Sequence, residues 1–434
     1  MPVSIAVVGS GPAGFYAIEA LLQSGLDVEI DILERLPTPF GLIRAGVAPD
    51  HQNTKNVARK FERWAENKRV RYFGNVEIGR DVGLPELREM YDAVVLAVGA
   101  PKDKPLGIPG AEKKGVYGSA AFVGWYNGHP DFRDLNPDLN TPSVAVVGNG
   151  NVAIDVARVL ARTPKGMASS DLADHAAAAI HAAPIKEIHL IGRRGPLQAK
   201  FTNAELRELE ALTDCVTVID PAEIPASADG LGDKERRVAE KNLKTFKAFG
   251  RIDPGQKRKR LYFRFFSAPA EVLGGDKVEA LRVERTRIAD GKLFRTGQTF
   301  DIPCGAIVSA IGYRAMPLDG VPIDPRSGTV SNRDGRIEPG FYAVGWLKRG
   351  PVGVIGSSKP DADAVVEFIR ADCPAPRNQG RKALREILRM RDVRPVSFAD
   401  WKRIEAAETA NAAAPAPRRK FVTVSDMMGV LDRH

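Results

Sequence analysis

The chain has 434 residues, more than one ordinary hydrophobic core accommodates, so we expect two or three domains. Its composition, 44% hydrophobic and 27% charged, is typical of a soluble globular protein, and no apolar run reaches the roughly 18 residues that a membrane-spanning helix needs. The net charge of +9 favours an acidic partner, and since no helix-turn-helix, RNA-binding or zinc-finger pattern is present, we do not expect nucleic-acid binding.

The cysteines and histidines argue against metal chemistry. The three cysteines stand far apart, no C-x-x-C occurs, and the six histidines form no H-E-x-x-H motif. We therefore predict no metal site, no iron–sulfur cluster and no redox dithiol. The first strand begins by about Val3, which leaves no room for a signal peptide and predicts a cytoplasmic protein.

The first motif, "IAVVGSGPAGFYA", reads as an apolar strand, a glycine-rich turn and the start of a helix. Gly9, Gly11 and Gly14 complete a G-x-G-x-x-G fingerprint, in which the helix N-terminus faces a pyrophosphate. Glu34 follows twenty residues after Gly14, at the end of the next strand, where a carboxylate accepts hydrogen bonds from a ribose 2′-OH. The first loop thus predicts a dinucleotide with a free ribose, such as FAD.

A near copy, "VAVVGNGNVAIDVA", begins at Val144, after proline and glycine punctuation at 100–110. Gly148 and Gly150 match the fingerprint, and Ala153 replaces the third glycine. The next strand ends in Arg193 and Arg194, which would pair with a ribose 2′-phosphate where a carboxylate would repel it. The second loop therefore predicts NADP(H), and two such cofactors imply hydride transfer from nicotinamide to flavin.

Further along the chain, alternating strand-like and helix-like segments indicate a parallel α/β protein. Residues 163–183 read as a helical insertion, and residues 340–369 as a strand, a glycine-rich loop and a helix. Residues 241–264 carry many cations and one acid. This stretch is either a solvated surface or a docking surface for an acidic protein. The alanine- and proline-rich stretch 407–420 is predicted to be an exposed linker.

Several segments in the same order resemble the adrenodoxin reductase type of NADPH-dependent ferredoxin reductase, including its bacterial members. They are "VGSGPAGFY", "PFGLIRAGVAPDH", "GNVEIGRD", "GNGNVAIDVAR", "GRRGPLQAKFTNAELREL" and "GWLKRGPVGVIG". The resemblance implies two Rossmann-like dinucleotide-binding domains, with an NADP domain at 106–325 inserted into an FAD domain formed by 1–105 and 326–434, the last part including the C-terminal tail.

The resemblance also implies site residues. The FAD contacts carried over by position are Ala13, Glu34, Leu42, Ile78, Trp346, Gly353, Val354 and Ile355. The NADP contacts are Asn149, Gly150, Asn151, Val152, Arg193, Arg194 and Glu205, with Gly353 near the nicotinamide. His51 and Glu208 are candidate catalytic residues. His51 follows a glycine–proline loop, and Glu208 shares a helical face with Glu205.

The function implied is electron transfer from NADPH through FAD to a ferredoxin, one electron at a time. A ferredoxin is typically acidic, so the cations of 241–264 and Arg207 form a candidate docking surface. Two alternatives stay open: an NADPH diaphorase that reduces quinones or other small acceptors, and a non-catalytic NADP-binding protein. A disulfide reductase also has two such loops but needs a dithiol, which this sequence lacks.

Overall fold

The structure, a computed structural model, describes residues 2–324 and 326–433. Contacts between residues divide the chain into two compact units. The terminal unit comprises the residues up to Lys102, Tyr313–Ala413 and the residues from Pro417 onward, and the middle unit comprises Asp103–Gly312 with Ala414–Ala416. The second boundary falls before the 325 expected from the sequence, because Ala315, Val321 and Val330 are buried in the core of the terminal unit.

The elements alternate along the chain. The first part contains strands β1 (Val3–Val8), β2 (Val28–Glu34), β3 (Val70–Gly74), β4 (Ala93–Leu96) and β5 (Lys102–Asp103), and helices α1 (Pro12–Gln23), α2 (Leu42–Ala45), α3 (Gln52–Lys55), α4 (Ala58–Ala65) and α5 (Leu84–Met90).

The middle part contains strands β6 (Val116–Gly118), β7 (Ser143–Val147), β8 (Glu187–Ile191), β9 (Cys215–Ile219), β10 (Lys259–Arg264), β11 (Ser267–Leu273), β12 (Ala280–Ala289), β13 (Lys292–Pro303) and β14 (Ala306–Ser309). Its helices are α6 (Ser119–Tyr126), α7 (Asn151–Ala161), α8 (Pro164–Met167), α9 (Asp174–Ala182), α10 (Asn203–Glu208) and α11 (Asp233–Phe249).

The last part contains strands β15 (Tyr313–Arg314), β16 (Arg336–Glu338) and β17 (Phe341–Ala343). Its helices are α12 (Trp346–Arg349), α13 (Lys359–Asp372), α14 (Arg381–Met390), α15 (Phe398–Ala410) and α16 (Val424–Leu431). Among all the described residues, no helix is both long and apolar enough to cross a membrane.

The terminal unit is built on a six-stranded sheet in the order β16-β17-β4-β1-β2-β3. Its strands pair in parallel except for β16 with β17. Every residue of β1 is buried, since both faces of the sheet carry a hydrophobic core. The strand order reverses between β1 and β4, and ligands of such sheets bind at the carboxyl ends of the strands at that reversal.

The middle unit repeats this design. Its six-stranded parallel sheet has the order β6-β14-β7-β8-β10-β9, and the order reverses between β7 and β14. A separate antiparallel sheet of β11, β12 and β13 adds a second core against Ala145, Ile191 and Ile307. The predicted α/β class with two Rossmann-like units is confirmed.

The stretch 407–420 matches the predicted exposed linker only in part, because residues 411–419 are irregular and exposed or half-buried. Ala407–Ala410 belongs to α15, and Glu408 and Lys420 are buried rather than exposed. Alanine is a strong helix former, so its abundance here reflects the helix as much as a linker. The predicted helical insertion is confirmed as α8 and α9.

Candidate dinucleotide-binding sites

The first glycine loop lies at the reversal point of the terminal sheet. Gly9 follows β1 with a φ of +103°, and a Cβ built on it would stand 2.6 Å from the carbonyl oxygen of Ala97, just past β4. A Cβ on Gly14 would collide with the carbonyl oxygen of Gly9. Only glycine therefore permits both the turn and the close packing of α1 on β1.

Gly11 has a different role, because it leaves space open. A Cβ there would meet nothing within 4 Å, and Gly11 is the N-cap of the 12-residue helix α1 without any side-chain cap. The N-terminal amides of α1 are thus presented to an open surface, which is how helices bind pyrophosphate. Ala13, in the first turn, packs against Gly345, where a Cβ would stand 2.5 Å from that of Ala13.

Glu34 ends β2 beside this loop and braces it. Its Oε2 accepts hydrogen bonds from Ser10 N at 3.1 Å and Ser10 Oγ at 2.7 Å, and its Oε1 accepts one from Leu36 N at 3.2 Å. Each carboxylate oxygen can accept further bonds, so ribose hydroxyls still find an acceptor here. Burial raises the pKa of the neighbouring Tyr72 phenol, and Glu34 raises it further, so Tyr72 stays a neutral donor to Leu36 O at 3.4 Å.

The turn that follows Phe40 contacts the first glycine loop. Phe40 N donates to Ser10 O at 3.0 Å, and a Cβ on Gly41 would stand 3.0 Å from Gly11 Cα. Leu42, the first residue of α2, is 45% exposed, so the turn presents an apolar side chain to solvent. Ile78 is partly buried and lies four residues past β3, at the same carboxyl edge of the sheet.

The C-terminal candidates form a second loop in the same unit. Trp346 begins α12 and stacks on Tyr313 with ring centroids 5.7 Å apart. Gly353 has a φ of +93°, Val354 is 63% exposed, and Ile355 packs against the core beside α1. The exposed apolar valine beside a left-handed glycine suits contact with a planar organic ring.

His51 lies in the terminal unit as well. It is half-buried and precedes the short helix α3, whose first backbone bond runs from Lys55 N to His51 O at 3.1 Å. The loop that precedes His51 contains glycine and proline and includes the turn at Leu42. The role of His51 stays a prediction.

The loop of the middle unit matches the first one. Gly148 follows β7 with a φ of +153°, and a Cβ on it would collide with Ala310 O just past β14, as Gly9 would with Ala97. Gly150 is the N-cap of α7 and, like Gly11, faces open space. Both loops therefore offer helix amides at the reversal point of a parallel sheet.

The residues between these glycines are held by the segment before α10. Asn149 O accepts from Lys200 N at 2.7 Å, and Asn151 Oδ1 accepts from Thr202 N at 2.8 Å. Among the described residues, the buried Asn149 Nδ2 has no hydrogen-bond partner, so it is a candidate donor to a ligand. Val152, in the first turn of α7, is partly buried against the core.

Arg193 and Arg194 follow β8 with their backbones fixed and their side chains exposed. Arg193 O accepts from Thr286 Oγ1 at 2.8 Å, and Arg194 O accepts from Phe266 N at 3.3 Å. Within residues 2–324 and 326–433, neither guanidinium makes an ion pair or a side-chain hydrogen bond. Two cations held in place without an acid are suited to an anionic group such as a phosphate.

A buried arginine that sequence reasoning missed organises Glu205 and Glu208. Arg158, on α7, is 0% exposed, and its guanidinium lies 2.8 Å from Asp155 Oδ1, 3.5 Å from Glu205 Oε2 and 3.2 Å from Glu208 Oε2. One cation thus holds three carboxylates. The spacing of Asp155 and Arg158 on one helical face was the available signal, but the partners on α10 are distant in sequence.

The cationic stretch 241–264 divides into two parts. On β10 and just before it, Lys257 donates to Leu212 O at 2.8 Å and Lys259 to Leu160 O at 2.8 Å, so these two ammonium groups serve the fold. β10, which begins at Lys259, lies between β8 and β9 in the sheet, where cations need partners. The exposed cations are those of α11 and the loop after it, Lys241, Lys244, Lys247, Arg251 and Arg258.

Comparisons with known proteins place these sites in a family. The family model for pyridine nucleotide-disulphide oxidoreductases matches residues 3–214. NADPH-ferredoxin reductase FprA of Mycobacterium tuberculosis is 41% identical, with 99% of each chain covered. The mitochondrial NADPH:adrenodoxin oxidoreductase of Homo sapiens is 39% identical over 98% of this chain and 91% of that protein. The solved structure of M. tuberculosis FprA in complex with NADPH has 40% identity and a TM-score of 0.92, with 99% of both chains covered.

Proposed function

Because the chain belongs to the family of NADPH-ferredoxin reductases and NADPH:adrenodoxin oxidoreductases, we propose that it oxidises NADPH and delivers the electrons singly, through bound FAD, to a ferredoxin. The observation that supports this proposal most is that side chains of opposite charge follow the strands beside the two matching glycine loops. Glu34 stands beside the first, whereas Arg193 and Arg194 follow the strand beside the second.

The terminal unit fits FAD. Gly9, Gly11 and Gly14 leave the amides of α1 open to the pyrophosphate, and Glu34 offers acceptors to the ribose. The exposed apolar residues Leu42 and Val354 suit the flavin ring. When bound, FAD accepts two electrons as a hydride and can release them one at a time.

The middle unit fits NADPH. The amides of α7 would bind the pyrophosphate, and Asn149 would donate through its unpartnered amide. Arg193 and Arg194 would pair with the 2′-phosphate that distinguishes NADPH from NADH. Glu205, which lies 3.5 Å from the Arg158 guanidinium, would accept hydrogen bonds from the coenzyme.

An acidic ferredoxin is proposed as the acceptor, with exposed cations of the middle unit as its docking surface. Asn203 on α10 donates to Asn242 Oδ1 at 3.2 Å and to Thr245 Oγ1 at 2.9 Å on α11, so the two helices pack together. Arg207, one turn after Asn203, is exposed beside α11. Arg207 and the exposed lysines of α11 are therefore the candidate docking surface, because basic surfaces steer short-lived encounters between redox proteins.

A cytoplasmic location accords with the cysteines. Cys215, Cys304 and Cys373 are all free and buried, and burial raises the pKa of the Cys215 and Cys304 thiols to about 12. Thiols of this kind are unreactive and suit a reducing compartment.

Turnover with different acceptors tests the proposal. We expect NADPH, in preference to NADH, to support reduction of a ferredoxin by the purified protein, with a larger kcat/KM for ferredoxin than for a quinone. A larger kcat/KM for quinones would identify the protein as a diaphorase. The absence of any NADPH oxidation would leave only a binding function.

A further inference from the structure

The C-terminal segment, residues 398–431, is anchored to the first part of the terminal unit. Glu408 on α15 is 0% exposed, and its two carboxylate oxygens accept from the two terminal nitrogens of Arg44 at 2.9 Å and 2.5 Å. This bidentate pair joins residues 364 positions apart in sequence. It ties α15 to α2, the short helix that begins with Leu42.

Three further contacts support the junction. Phe421 N donates to Glu408 Oε1 at 2.9 Å, and the buried Lys420 donates through Nζ to Arg44 O at 3.0 Å. The Arg44 guanidinium lies over the ring of Trp401, 5.2 Å from its centroid. Both the side chain and the backbone of Arg44 are therefore held by the C-terminal segment.

On its opposite side, the same turn contacts the first glycine loop. Phe40 N donates to Ser10 O, and Gly41 approaches Gly11 so closely that a Cβ would be 3.0 Å from its Cα. The turn 40–45 is thus fixed at one end by the glycine loop and at the other by Glu408. Leu42, exposed between them, has its position set by both contacts.

We propose that Arg44 and Glu408 are positioning residues for FAD, and that the C-terminal segment acts through them to hold the turn 40–45 in its binding conformation. This inference rests on the proposed function, since it assumes that the turn contacts FAD. Preorganisation strengthens binding because the ligand need not pay for ordering the loop. Without the Glu408 carboxylate, the mostly buried Arg44 guanidinium loses a bidentate ion pair, and this loss loosens the turn that carries it.

The test is the affinity of the full-length apoprotein for FAD, measured by quenching of flavin fluorescence. We expect Glu408→Gln to weaken FAD binding roughly 10- to 100-fold, the range that a lost charge-assisted hydrogen bond corresponds to. Arg44→Lys keeps the charge but not the bidentate geometry, so a smaller loss is expected, and it carries the test if Glu408→Gln does not fold. At saturating FAD, the visible circular dichroism of the bound flavin should also change in both variants.

Asp372→Asn is the matched control. Asp372 is also a mostly buried carboxylate of the terminal unit, paired with Arg336 at 2.6 Å, but it has no contact with the turn 40–45. It should leave FAD affinity and flavin dichroism unchanged. The inference would be overturned if both Glu408→Gln and Arg44→Lys kept the parent's FAD affinity and flavin dichroism. It would also be overturned if Asp372→Asn lost as much FAD affinity as they do. In either case the proposed function would stand. A parent apoprotein that binds no FAD would instead overturn the proposed function.

Discussion

We propose that the charged side chains at the ends of β2 and β8, the strands that follow α1 and α7 in their sheets, decide which ribose each glycine loop accepts. Glu34 is held by Ser10 and Leu36, whereas Arg193 and Arg194 are anchored through their backbone carbonyls and have exposed side chains. A carboxylate suits a free 2′-OH and repels a 2′-phosphate, and guanidinium groups have the opposite preference.

Coenzyme choice is therefore expected to depend on the two arginines. Arg193→Ala or Arg194→Ala should lower kcat/KM for NADPH by roughly ten- to a hundredfold, the range for a lost charged hydrogen bond, and should barely change that for NADH. The measurement is steady-state reduction of ferricyanide with each coenzyme. Arg258→Ala, which removes an exposed arginine paired with Asp214, is the control. Equal losses with both coenzymes would mean that Arg193 and Arg194 support the fold.

Arg158 is a buried cation that three carboxylates of the middle unit share. Replacing it by Met leaves Asp155, Glu205 and Glu208 without their shared cation, and breaking a buried pair on one side costs about 3–5 kcal/mol. We expect a loss of that order in the free energy of unfolding, measured in urea. Arg236→Met removes a surface pair with Asp233 and should cost roughly 1 kcal/mol or less. Similar small losses in both variants would contradict this account of Arg158.

At the scale of elements, features that depend on neighbouring residues could be predicted from the sequence, whereas contacts between distant residues could not. The strands and helices around both glycine loops were predicted because apolar runs, glycines and the following charge lie close together in sequence. The burial of Glu408 was missed because its partner Arg44 is 364 residues away and the surrounding composition is rich in alanine and proline. The structural role of Lys257 and Lys259 was missed for a similar reason, since their carbonyl acceptors lie in other elements.

The packing of α10 on α11 leads to a prediction for docking. Arg207→Glu should slow ferredoxin reduction, most clearly at low salt, and leave NADPH-to-ferricyanide turnover nearly intact, because steering acts on association and is screened beyond roughly 8–10 Å at physiological salt. Lys292→Glu, on the exposed strand β13, is a control of equal charge change. If ferricyanide and ferredoxin rates fall together, Arg207 serves the NADP site or the fold.

At the scale of the whole molecule, stability should fall in mild acid because of a buried histidine in the middle sheet. His189 is stacked on Tyr262 with ring centroids 5.0 Å apart. Burial, and next the charge of Arg264, lower the pKa of His189 to about 4, although Glu187 acts in the opposite direction. The unfolded chain, with a pKa near 6.5, binds the proton more readily, so stability present above about pH 6.5 is lost as the pH falls towards 4.

His189→Gln should remove this pH dependence. The lowered pKa of His189 corresponds to a loss of about 3 kcal/mol in the free energy of unfolding between about pH 6.5 and pH 4. Urea unfolding of parent and variant at pH 7 and pH 5 measures it, and the parent should lose more free energy of unfolding between the two. Equal losses would show that other groups govern the acid response.

The whole account rests on one chain that carries one FAD reducible by NADPH, and an anaerobic titration tests that most directly. The purified protein should show a flavin absorption band near 450 nm and release one FAD per chain on denaturation. About one equivalent of NADPH should bleach the band, and NADH at the same concentration should bleach it far more slowly. Release of FMN, stoichiometric iron, or a band that NADPH leaves unchanged would contradict the account.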